Sequence, residues 1–102
     1  MDGYEYLGFE IRPSMLSALQ RYAFDGVPVG DFLRCVISND FMGACGHADS
    51  ENLRNLPAFS AWLYNEAPAL SHGSGERYNA WLNMHEAKRL KVVAKVNGSG
   101  SL

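Results

Sequence analysis

Residues that break regular backbone recur so often along this chain that its apolar side chains can be gathered only by a set of short helices. Gly26, Pro28 and Gly30 punctuate one stretch, Ser38-Asn39-Asp40 supplies three side chains that compete for backbone hydrogen bonds, and Gly43 and Gly46 weaken the next piece. Pro57 and Pro68 interrupt the stretch beyond Asp49. Between the breaks the apolar residues keep helical spacing. Pro13 presets a first turn, and Met15, Leu16, Leu19, Tyr22 and Ala23 come after it until Gly26 stops the run, which predicts a helix over Pro13–Asp25. Phe32, Leu33, Val36 and Ile37, at i, i+1, i+4 and i+5, predict a second that begins at Gly30 or Asp31.

A short helix carrying Phe41, Met42, Ala44 and Cys45 is expected next. Asp49-Ser50-Glu51 then reads as a cap with acidic first-turn residues, opening a helix that turns Leu53, Leu56, Phe59, Leu63 and Tyr64 inward, with a kink or restart near Leu56 forced by Pro57. After the loop at 69–75, Ser74 is the expected cap of a last helix whose Tyr78, Trp81, Leu82 and His85 share one face. The predicted fold is all-α, a compact bundle of four to five short helices over residues 13–90, with an arm at either end. Tyr4 to Ile11 partly alternates and predicts an extended arm or a short strand. Lys91 to Val96 reads as frayed helix or as a strand for which the N-terminal arm is the partner, and Asn97 to Leu102 as a flexible tail.

At 102 residues and 47% hydrophobic composition, one core forms without metals or disulfides, so a single domain is expected. Nine Lys and Arg against eleven Asp and Glu leave a formal charge of −2, too small to imply an electrostatic partner. Its distribution is uneven: residues 1–75 hold four arginines against nine acids, a net of −5, and residues 76–102 hold five bases against two acids, a net of +3. Two cysteines, Cys35 and Cys45, point to a reducing compartment. The opening MDGYEYLGFEI lacks the basic start and apolar run of a signal peptide, and no stretch reaches the length of a membrane span, so no membrane association is expected.

The stretch from Pro13 to Trp81 resembles a group of small accessory proteins encoded by phages and prophages, typified by a Gly-Asp-Phe-Leu start, an Asn-Asp step, an Ala-Asp…Asn pair and a Tyr-Asn-Glu-Ala-Pro ending. Here these are Gly30 to Leu33, Asn39-Asp40, Ala48-Asp49 with Asn52, and Tyr64 to Pro68. The resemblance implies origin rather than mechanism: a cytoplasmic protein of a bacterial host cell that binds a host protein or a defence component. The aromatic arm and the basic C-terminal extension are additional to the shared part.

Candidate chemistry divides along the same lines. Cys35, Cys45, His47, His72 and His85 include soft zinc ligands, but no paired Cys-x-x-Cys or His-x-x-x-His occurs, so neither metal nor cofactor is expected. Cys35 beside Val36 and Ile37 reads as a core thiol rather than a nucleophile. Asp31 and Asp49 are explained by helix starts. Asn39, Asp40, Asn65 and Glu66 have no such need and, with Trp62 as an exposed aromatic, form the predicted partner-binding surface of a non-enzymatic protein. The alternative is a small protein that associates with nucleic acid or sequesters a nucleotide through its basic last helix, with Arg77, Lys88, Arg89 and Lys91 on phosphates and Tyr78 and Trp81 stacking on bases. The aromatic arm also allows pairing between copies as a homo-oligomer.

Overall fold

The computed structural model of the chain describes residues 3–101, with side chains as far as residue 92. The elements run β1 (Tyr4–Tyr6), β2 (Phe9–Ile11), α1 (Pro13–Asp25), α2 (Asp31–Ile37), α3 (Phe41–His47), α4 (Ser50–Arg54), α5 (Leu56–Glu66), a 3-10 turn (Ala69–Ser71) and α6 (Gly75–Ser101). The fold is mostly helical, as expected. The all-α bundle of four to five helices needs correction in detail, because six α-helices and a two-stranded antiparallel sheet are present among the described residues.

Each helix boundary has a local cause. Gly26 ends α1 in the left-handed region at φ 68°, and a Cβ there would also collide with His85. At the end of α2, Asn39 takes φ 62°, its N–H donates to Val36 and the N–H of Asp40 donates to Cys35, the paired bonds of a Schellman cap. Asp40 then opens α3, its carboxylate accepting the Gly43 N–H at 3.0 Å. Asp49 opens α4 by accepting from Asn52 at 2.7 Å. Pro57 lies in the first turn of α5, where a missing N–H costs no helical bond, and so the expected restart near Leu56 is what occurs. Ser74 caps α6 through the Arg77 N–H at 3.1 Å.

The N-terminal arm is a hairpin rather than a strand for the C-terminus. Tyr4, Glu5 and Tyr6 pair with Ile11, Glu10 and Phe9 across Leu7 and Gly8, whose φ values of 51° and 87° give the two-residue turn that suits strand twist. Ile11 is buried, and the Glu10 N–H donates to the Asn55 side chain at 2.8 Å. Arg12, where the hairpin enters α1, reaches Asp49 at 2.9 Å and Glu51 at 3.2 Å and so ties the arm to α4. Residues 91–96 belong to α6, which satisfies its backbone internally without a partner strand, and the expected flexible tail is helical to Ser101, with Leu102 outside the described residues. At about 1.5 Å per residue the 27 residues of α6 far outrun the body they pack on. The molecule accordingly measures 57 × 30 × 21 Å.

One tyrosine joins the first helix to the last. The buried Tyr22 hydroxyl donates to the Ser71 carbonyl at 2.7 Å, and its ring stacks on Tyr78 with centroids 5.2 Å apart. The Trp81 indole N–H is shared between the Tyr22 and Ala23 carbonyls at 3.2 and 3.1 Å, and Arg89 donates to the Asp25 carbonyl at 2.9 Å. Thus α6 brings donors to the carbonyls at the end of α1, where that of Tyr22 also accepts the Gly26 N–H at 3.0 Å. Across the core Phe32 meets Phe59 edge to face at 5.2 Å. Replacing Tyr22 by Phe keeps the ring and removes the donor to a buried carbonyl, which should cost about 1–3 kcal/mol. Urea unfolding followed by tryptophan fluorescence measures it, and an unchanged midpoint would show that the bond adds nothing.

Candidate binding groove

Helix α5 buries more than half its circumference through Ala58, Phe59, Ala61, Trp62 and Leu63. What it leaves open is a narrow face with Pro57, Ser60 and Tyr64 at i, i+3 and i+7. Helices α2 and α3, folded against each other by the Asn39 turn, stand opposite. Between them lies an open groove of about 780 Å³. Buried Ile37 and Leu63 line its base, and the rim carries Phe41, Leu53 and Tyr64, which are 70%, 45% and 84% exposed. Met42, next to Phe41, is exposed as well. Large apolar side chains are thus left open around one concavity. One end is closed by His72 and Gly73, held in place where the Gly73 N–H donates to the Ile37 carbonyl at 2.8 Å.

The groove is mildly acidic. Among the described residues Asp40 lines it and no Lys or Arg does. Gly43 admits the Asp40 carboxylate and the Cys35 sulfur, both of which a Cβ at that position would strike. Burial, reinforced by Asp40, pushes the Cys35 thiol up and keeps it protonated, which suits the core thiol read from the sequence rather than a nucleophile. Cys45 also lines the groove but is only half-buried. Burial and then the charge of Arg77 hold His72 below its ordinary value, opposed by a hydrogen bond to the Leu63 backbone. No group of three or more His, Cys, Asp or Glu side chains among the described residues is placed to hold a metal ion. A smaller cleft of about 340 Å³ includes Arg12, Asp31, His47, Asp49 and Asn52, but there Arg12 and Asp49 are already engaged with each other.

The residues predicted for partner binding separate. Asn39 and Asp40 do line the groove, although both also have local duties as the left-handed cap of α2 and the N-cap of α3. Asn65 and Glu66 are exposed on the last turn of α5, just beyond Tyr64. Trp62 is a correction: it is 3% exposed, with Phe24 edge-on at 6.4 Å, because it sits in the middle of the wide buried arc of α5. The nucleic-acid alternative loses its stacking platform, since Tyr78 is buried against Tyr22 and Trp81 is half-buried and bonded to α1. Arg77 reaches the His72 carbonyl at 3.2 Å and Arg89 the end of α1, which leaves Lys88 and Lys91 exposed. Sequence reasoning misses the rim. Helical spacing turns Leu53 and Tyr64 inward, but the break at Asn55 resets the helical phase between α4 and α5, and Tyr64 falls outside the buried arc.

Set against known protein families, curated proteins and solved structures, the chain matches none.

His72 gives the groove a pH signature. Its folded value lies below the roughly 6.5 of an unfolded histidine, so the unfolded chain takes up the proton first. The contribution is therefore complete above the unfolded value and is lost as the pH falls through the folded one. Between about pH 7 and 5 the Tm of the parent chain should fall more steeply than that of His72→Gln. Parallel Tm profiles would mean that His72 is not the group responsible.

Proposed function

We propose that this chain is a non-enzymatic binding protein that receives a partner protein in the groove between the α2–α3 pair and α5. The observation that supports this is the ring of exposed Phe41, Leu53 and Tyr64 around a preformed concavity of about 780 Å³. Aromatic side chains at the edge of an apolar hollow are the residues that dominate interface energies. The resemblance to phage and prophage accessory proteins favours a host protein or a bacterial defence component as the partner class. No helix among the described residues is long and apolar enough to cross a membrane.

Nucleic-acid association has less support, because Tyr78 and Trp81 are engaged in packing and the exposed basic side chains Lys88 and Lys91 offer charge without stacking. Truncating either rim aromatic, Phe41→Ala or Tyr64→Ala, should weaken the partner about 30-fold, the effect of a 2 kcal/mol hot spot. Their unfolding midpoints should stay near the parent value, since both side chains are exposed. Calorimetric titration against a partner recovered from host lysate measures this. A partner whose affinity is indifferent to both substitutions, or a salt-dependent mobility shift lost on Lys88→Glu, would sink the groove as the site of action.

A further inference from the structure

Beyond His85, α6 leaves the body, and Arg89 is bonded back to it, through the Asp25 carbonyl at 2.9 Å. Every side chain from Glu86 to Val92 is exposed, while the helix runs on to Ser101. A helical segment this short is marginal alone in water, and Gly98 and Gly100 lower its propensity further. Its sequence is nonetheless amphipathic. Lys88, Lys91 and Lys95 recur at i, i+3 and i+7, while Leu90 with Val93 and Val92 with Val96 recur at intervals of three and four on the other side, which Arg89 interrupts. That is the pattern of a helix that lays an aliphatic face into a groove and keeps a basic edge beside it.

We propose that the groove between the α2–α3 pair and α5 is occupied in solution by this outer half of α6 from a second copy of the chain, an inference that rests on the groove being a docking site. Charge supports the match: the segment belongs to the end that carries +3, the groove to the part that carries −5, and Asp40 is the charged group on its wall. The C-terminal end of α5, with its partial negative charge, lies beside Tyr64 on the groove and so favours lysines there. The contact must come from another chain, because α6 is one unbroken helix that starts next to the groove at Gly75 and leads away from it. Two copies exchanging helices about a two-fold axis make both contacts at once, which closes the assembly as a dimer. An anionic membrane fits the same amphipathic helix less well, because the body would be repelled from it.

Sedimentation velocity on the full chain over a concentration series tests this. The parent chain should be a dimer that weakens as salt rises. Tyr64→Glu in the groove and Leu90→Glu on the helix should each raise the dissociation constant at least about 30-fold while leaving the circular dichroism spectrum unchanged. Mixing the two variants should restore a heterodimer, since the mixture keeps one intact groove and one intact helix. A parent chain that stays monomeric while still binding another protein through Tyr64 overturns this inference and leaves the docking reading standing. A dimer indifferent to both substitutions overturns it too, as does a monomer that binds phosphatidylserine vesicles through Leu90.

Discussion

The Tyr22 hydroxyl carries more of this architecture than its single bond suggests. It joins α1 to the turn at Ser71, and the residues just after that turn close the groove, because the Gly73 N–H is bonded to the last residue of α2. The same ring is the platform for Tyr78, the first residue of α6 to be buried. Burial, with Tyr78 beside it, raises the phenol's pKa far above its ordinary value and so favours the protonated, donating form. The position of the groove's far end and the docking of α6 therefore meet at one side chain.

The parts of the fold legible in the sequence are those decided by local chemistry. Pro13 and Gly26 bound α1, the Asn39-Asp40 step divides α2 from α3, and Ser74 opens α6, because each is a matter of φ or of one unpaired N–H. The hairpin is harder to read. Tyr-Glu-Tyr and Phe-Glu-Ile are near mirror images about Leu7-Gly8, but a leucine rarely takes a positive φ, and the pairing sets Glu5 opposite Glu10. Neither feature favours a hairpin in isolation. What settles it is tertiary: Ile11 enters the core and Asn55 accepts from Glu10.

Legibility of the site fails for a related reason. Asn39 and Asp40 stand out in the sequence as polar residues without a structural task, and they do line the groove, yet each has a capping task that the sequence also encodes. Trp62 and Tyr64 have exposures opposite to those that helical spacing assigns them. A stripe reading assumes one buried seam per helix, whereas α5 meets the hairpin and α2, with Phe24 of α1 edge-on to Trp62. Only the face opposite Trp62 remains open, and that face is the groove wall. No single-helix periodicity can anticipate how many neighbours a helix will have.

Short helices explain why there is a groove at all. A seven-residue helix such as α3 has two turns; it buries Ala44 against α2 and leaves Phe41 and Met42, at its first turn, without a surface to meet. The helix ends at His47, and Asp49 caps the next one. Covering one aromatic side chain removes roughly 150–250 Å² from water, and at about 25 cal/mol per Å² that is several kcal/mol available to whatever binds. The walls are held by backbone bonds at Asn39 and Gly73 rather than by loops, so little ordering entropy opposes that gain. The breakers that forbid a larger core thus leave apolar surface at the ends of rigid pieces, where a partner helix can complete it.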